Sequence, residues 1–226
     1  MSQPVRGTGP GPIAPDGSAV EFYASLPHDE KSAALVHDAV PPGASILELG
    51  SGPGRMTHPL VAHGHPVVAV DHSAEMLAHV EGAETVHARI EELALGRTFD
   101  AVLLASFVIH YADVSPRVVL DVCRAHVAGA GHVIVQRQPP ERHDAAALSS
   151  WEHDDITFQI TELERYDDGR YAATMRYTHG GRVWTHSFTS RRIGDDDLTA
   201  MLAASRLRFD RFLDPDRSWV LARPAE

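Results

Sequence analysis

Apolar and polar positions follow two different rhythms along this chain, and the change comes near residue 150. In the first half, short runs that are apolar at consecutive positions alternate with stretches of helical spacing. Ile46-Leu47-Glu48-Leu49 is broken by Gly50-Ser51-Gly52-Pro53-Gly54, and Pro66-Val67-Val68-Ala69-Val70 ends at Asp71. Glu84–Ala88 is a weaker third run, Phe99–Leu104 a fourth and His132–Gln136 a fifth. Helices are predicted over about 18–26, 29–40, 55–63, 74–80 and 115–128, with Ser73 capping the fourth. Strands apolar on both faces and separated by helices form a parallel sheet covered on both sides. The predicted class is α/β, doubly wound.

Beyond 150, apolar residues fall on alternate positions: Ile156/Phe158/Ile160, Tyr171/Ala173/Met175/Tyr177 and Trp184/His186/Phe188. Asp167-Asp168-Gly169 and His179-Gly180-Gly181 separate these runs as hairpin turns, so an antiparallel meander with one apolar face is predicted. That face must be buried, either over the functional site or against a second copy in a homodimer. Asp195–Ser205 reads as a helix, and Arg208–Leu213 with Ser218–Ala222 as a closing hairpin around Asp214-Pro215-Asp216. Residues 1–17 carry Pro4, Gly7, Gly9, Pro10, Gly11, Pro12, Pro15 and Gly17, which predicts a mobile tail without regular structure. One domain is then expected over 18–226: helices at 18–44, the α/β core at 45–138, the meander at 150–192 and the closing segment at 195–226.

Composition narrows the partners. Lys and Arg number 20 against 31 Asp and Glu, a net charge of −11, the wrong sign for neutralising nucleic-acid phosphates. The single cysteine, Cys123, excludes an internal disulfide and sits in an apolar pattern as a small buried side chain. Among the 15 histidines, His63-x-His65 and His72 with His79 lack metal-ligand spacing, so no metal site is predicted. No apolar run reaches the ~20 residues of a membrane span. The start of the chain lacks the pattern of a signal peptide. A soluble cytoplasmic protein is expected.

The chemistry concentrates where the first strand enters the glycine turn. Glycines at alternate positions let backbone approach a ligand, and Asp71, 21 positions after Gly50, ends the next strand, where a carboxylate can accept ribose hydroxyls. A dinucleotide fingerprint would need glycine where Arg55 stands. The spacing instead resembles the class I S-adenosylmethionine-dependent methyltransferases, whose first motif matches Glu48-Leu49-Gly50-Ser51-Gly52-Pro53-Gly54 and whose ribose acid matches Asp71. Phe99–Ala105 and Gly131–Val135 look like that family's fourth and fifth strands.

The resemblance implies a Rossmann-like, mostly parallel seven-stranded sheet, S-adenosylmethionine as cofactor and a small-molecule methyl acceptor. It implies Glu48 at the methionine end, through backbone or water, with Gly50, Gly52 and Gly54 forming the cradle. Asp71 would take the ribose, His72 and Met76 would flank the adenine, and Ala105 at the fourth strand's end joins the cofactor set. Arg89 stands where the family often has an acid for the adenine amino group; Glu91 or the Ile90 backbone is the expected substitute. Tyr23 either closes over the cofactor or packs with Phe22.

His110, just beyond the fourth strand, is the candidate base, with a structural histidine as the alternative reading. Arg137, Arg142 and His143 follow the fifth strand and are candidates to receive an acidic substrate group. Trp151 and His153 are candidate pocket walls, and Trp184 and Phe188 candidate core. Two other functions share these motifs: non-methylating chemistry on the same cofactor, such as cyclisation, and sensing without catalysis.

Overall fold

The structure, a computed structural model, describes residues 6–225. In chain order its elements are β1 (Arg6–Thr8), α1 (Val20–Ser25), α2 (Glu30–Ala39), β2 (Ile46–Leu49), α3 (Thr57–Ala62), β3 (Val67–Asp71), α4 (Ala74–Leu77), β4 (Glu84–His87), β5 (Phe99–Leu104), α5 (Pro116–His126) and β6 (Val127–Gln136). These are followed by α6 (Pro140–Asp144), β7 (Ser149–His153), β8 (Ile156–Arg165), β9 (Arg170–His179), β10 (Arg182–Arg191), α7 (Asp195–Ala204), β11 (Leu207–Phe212) and β12 (Trp219–Pro224).

Seven strands form one sheet in the order β11-β12-β6-β5-β2-β3-β4. From β6 to β4 all neighbours are parallel, and β12 runs antiparallel to β6. The consecutive apolar runs have their reason in this arrangement, because alternate residues of one strand enter two different cores. Leu47, Leu49, Val102, Leu104, Val133 and Val135 pack on one face, and Ile46, Ala101, Leu103 and Ile134 on the other. Cys123 is buried in the first of these cores. The chain leaves β2 for β3 on one side and returns to β5 on the other. The carboxyl end of β2 is therefore the topological switch point, where doubly wound sheets bind ligands.

The meander forms a second, antiparallel sheet in the order β1-β10-β9-β8-β7. It has five strands where the alternation predicts three. The turn Asp154-Asp155, with both residues at positive φ, folds the exposed strand β7 back on β8. The other addition overturns the reading of residues 1–17 as a tail without regular structure. Residues 1–5 lie outside the described residues, but Gly7 pairs with His186 as part of β1. The breakers serve close packing there. A Cβ on Gly9 would come within 2.3 Å of the Trp184 ring, whose Nε1 donates to the Pro10 carbonyl at 2.9 Å. Trp184, Ile156, Tyr177 and Phe22 form a small core joining this strap, α1 and the meander. Among the described residues, no helix is long and apolar enough to cross a membrane.

Candidate active site

Between the carboxyl ends of the parallel strands and the apolar face of the meander lies a cavity of about 1510 Å³. A single small ligand ordinarily occupies a site of ~300–1000 Å³, so this one has room for two. Its floor is the glycine turn. Gly50 and Ser51 donate to the Val70 carbonyl at 2.8 and 3.0 Å, which ties the turn to β3. Gly50 sits at φ +75°, a conformation that favours glycine, and a Cβ there would reach Val108 at 3.4 Å. Gly54, at φ +88°, faces away from the cavity toward His58, 2.8 Å from where its Cβ would stand. Gly54 shapes the turn and does not line the site, which corrects the expectation of a cradle contact at this position.

Asp71 ends β3, only 6% exposed as a residue, and lines the cavity. Oδ2 accepts from the Gly52 N–H at 2.8 Å and Oδ1 from the Ser73 N–H at 2.9 Å. A carboxylate offers about four lone-pair positions, so two remain for incoming hydroxyls. Ser73 caps α4 by accepting from the Met76 N–H at 3.2 Å, and this places Met76 and His72 on the same wall. Ile90 and Glu91 line the wall beside them. Arg89 donates to Glu91 at 3.2 Å, so the residue that departs from the family pattern holds the neighbouring acid in place.

Glu48 is 2% exposed, accepts from the Thr57 hydroxyl at 2.6 Å and faces the cavity. Burial raises its pKa to about 7, with the nearby Asp71 charge adding to the shift and the Thr57 hydrogen bond opposing it. A buried acid with one protein donor is suited to meeting a cationic group. Tyr23, from α1, also faces the cavity, and burial raises its phenol pKa.

Four expectations are corrected. Ala105 is buried in the sheet's second core, and the lining role passes to Ser106 and Phe107, both at positive φ. Ser106 is held by its N–H donating to Gln136 Oε1 at 2.7 Å, and Phe107 stays 42% exposed. Arg137 is fully buried away from the cavity. Its guanidinium donates to the Arg217 carbonyl and to Asp195 and lies over the Phe212 ring, so it binds structure and not substrate. His143 is likewise buried, against Tyr171, and Arg142 at the rim pairs with Asp216. His110 faces the cavity but has no free nitrogen. Nδ1 lies 2.8 Å from the Arg191 carbonyl and Nε2 accepts from the Gln138 N–H at 2.9 Å, so Nδ1 is the protonated position. Burial lowers its pKa to about 4, and the ring pins the segment after β5 to β6 and the meander.

Trp151 stands at the cavity mouth on β7, 45% exposed and stacked on Phe158, with His153 beside it. Trp184 is core, as expected, whereas Phe188 lines the cavity. The sequence reading missed Asp16, Tyr111, Tyr171 and Tyr177 as lining residues. Tyr171 and Tyr177 lie on the apolar face of the alternation, so the signal for them was the meander's destination. Asp16 had no local signal.

Residues 47–135, which carry the glycine turn, Asp71 and strands β2 to β6, match the methyltransferase domain family. That segment is similar to a methyltransferase domain. The CcbJ methyltransferase of Streptomyces caelestis superposes with a TM-score of 0.74 at 18% identity, over 92% of this chain and 96% of that one. An amino pentose methyltransferase of Micromonospora echinaspora, involved in calicheamicin biosynthesis and solved with S-adenosylmethionine bound, gives 0.72 at 17% over 91% and 95%. A sugar N-methyltransferase of Streptoalloteichus sp ATCC 53650 gives 0.66 at 20% over 96% and 98%. These similarities extend through the meander and show that the parallel-sheet core and its roof share one fold with these proteins. No curated protein sequence matches the chain.

Proposed function

We propose that the chain transfers a methyl group from S-adenosylmethionine to a small molecule held between the glycine turn and the meander. The single observation that carries this is the continuous cavity, with the glycine turn and Asp71 at one end and an aromatic roof at the other. Asp71 would take the ribose hydroxyls, Glu48 the methionine end, and His72, Met76, Ile90 and Glu91 the adenine. The residues fit that ligand, because Asp71 keeps two acceptor positions and a Cβ on Gly52 would meet no atom within 4 Å, so its absence leaves open space. Bound there, S-adenosylmethionine supplies an electrophilic methyl on a sulfonium.

What the protein adds is alignment and exclusion of water. His110 contributes by position. With both nitrogens held by backbone it fixes the loop that carries Phe107 and Tyr111 and takes no proton from the acceptor. The roofed cavity and the acidic charge favour a small acceptor over nucleic acid, and two of the structural neighbours are named for amino pentose and sugar acceptors. Trp151 and Phe107 guard the acceptor's entrance. The meander's apolar face closes on the cavity, the first of its two expected destinations. A cytoplasmic location belongs to the same reading. A structure with S-adenosylhomocysteine tests the assignment: the ribose is expected on Asp71 and the thioether facing the meander, and a ligand bound elsewhere overturns it.

A further inference from the structure

The roofed half of the cavity is lined by Tyr23, Tyr111, Phe158, Tyr171, Tyr177 and Phe188. These rings brace one another: Phe22 stacks on Tyr177 at 4.3 Å, and Phe188 meets Tyr111 edge-on at 6.1 Å. Burial keeps the phenols of Tyr111 and Tyr177 well above their ordinary pKa, so they carry no charge. Burial also holds His110 and His186 below theirs, so these two rings add no positive charge at neutral pH.

Two carboxylates bear on these neutral groups: Asp113, which is exposed and acts on Tyr111, and Asp16, which acts on more of them. Asp16 accepts from both the N–H and the hydroxyl of Ser18 at 2.9 Å, and its backbone carbonyl lies 3.2 Å from His186 Nε2. Its negative charge bears on Tyr23, Tyr111, Tyr177 and His186. A third of its side chain is open, at 33%, and the residue lines the cavity. Its only ion-pair partner among the described residues is His72, at 3.9 Å. Of the cavity wall's cations, Arg89 pairs with Glu91 and Arg142 with Asp216, while Arg55, which donates to the Pro27 carbonyl, and Lys31 on α2 make no ion pair with Asp16. Neutral aromatic faces around a partly open carboxylate attract a cation and disfavour an anion.

We propose that Asp16 selects the methyl acceptor, and that the acceptor presents a basic amine to the tyrosine-lined half of the cavity. This rests on the methyl-transfer reading and adds to it the chemical class of the substrate. The amine reacts as its free base, its proton having passed to water. The nitrogen lone pair forms the N–C bond while the C–S bond breaks with its electron pair going to sulfur. Positive charge thereby moves onto nitrogen, where the Asp16 carboxylate stabilises it as it develops. No protein base is required, which agrees with a His110 that has no free nitrogen.

The test uses benzylamine and benzyl alcohol, of similar size and different charge, titrated by ligand-observed NMR into the full chain saturated with S-adenosylhomocysteine. Benzylamine is expected to bind at least tenfold more tightly than benzyl alcohol. Asp16→Asn, which keeps an acceptor for Ser18, is expected to abolish that preference while leaving benzyl alcohol binding and the S-adenosylhomocysteine Kd within twofold. Equal binding of the two probes by the unmodified chain, or a preference that survives Asp16→Asn, overturns the proposal. Failure of S-adenosylhomocysteine to bind is read separately, by calorimetry, and counts against the methyl-transfer assignment instead. An Asp16→Asn chain with a lowered melting temperature is replaced by Asp16→Glu, which keeps the charge and is expected to keep the amine preference; loss of the preference in that variant overturns the proposal.

Discussion

Glu48→Gln should move stability and ligand affinity in opposite directions. In the folded chain Glu48 has a pKa of about 7, against 4.5 for the free side chain. For a buried acid the stability present below the unfolded pKa is lost as pH rises through the folded one. A difference of about 2.5 pKa units at 1.36 kcal/mol each makes the ligand-free chain about 3 kcal/mol less stable at pH 8 than a chain with a neutral isostere there. Glu48→Gln removes that charge and keeps an oxygen for Thr57, so its ligand-free melting temperature at pH 8 should rise. At pH 4 the wild-type carboxyl is protonated and the two chains should melt together. Ligand binding reverses the sign, because the α-ammonium at the ligand's methionine end pairs with the ionised carboxyl. With a pKa of about 7, ionisation is nearly complete at pH 8 and roughly a tenth complete at pH 6. The S-adenosylhomocysteine Kd should therefore weaken about tenfold from pH 8 to pH 6 in the wild type and stay flat in Glu48→Gln. Paired melting curves and calorimetric titrations measure both effects. A variant that is destabilised at pH 8, or that keeps the wild-type pH dependence of Kd, refutes the reasoning.

Asp71→Ala should weaken S-adenosylhomocysteine by about 1.5–3 kcal/mol per hydrogen bond lost, and also lower the melting temperature, because the Gly52 and Ser73 N–H groups lose their acceptor; unchanged calorimetric affinity would place the ribose elsewhere. His110→Ala leaves the Arg191 carbonyl and the Gln138 N–H unpaired and should lower stability by about 2–4 kcal/mol in chemical denaturation; an unchanged midpoint with turnover down by ~10²–10⁴ would restore the base. With a folded pKa of about 4, His110 contributes stability that is present above the unfolded value of ~6.5 and lost as pH falls toward 4, so wild-type melting temperature should drop over that range and His110→Ala should drop less. Trp151→Ala should raise the acceptor KM and leave the S-adenosylhomocysteine Kd unchanged; a matching loss in both would move Trp151 out of the acceptor's path.

Much of the fold could be read from the chain because its core strands are buried on both faces and so read as unbroken apolar runs. The meander was equally legible through alternation. Its outer strands were not: β7 is exposed at all five positions and has no apolar side to alternate. β1 is three residues long, in a segment whose glycines permit packing against Trp184 and Gly17 rather than disorder. The cofactor end of the site was legible where backbone geometry demands particular residues, as at Gly50, Gly52 and Asp71. Side chains that reach the cavity from distant elements were not. Arg137 follows β6 directly, yet its position is decided by Asp195, Arg217 and Phe212, all far along the chain. Asp16 becomes a lining residue only because the strap is held by β10.

Calorimetric titration of the full chain with S-adenosylhomocysteine and, separately, with NAD tests the central claim most directly. The glycine spacing, with Arg55 in place of the dinucleotide glycine, and the paired acceptor positions of Asp71 predict one S-adenosylhomocysteine bound per chain and no heat from NAD. Saturable NAD binding with no response to S-adenosylhomocysteine would contradict the account.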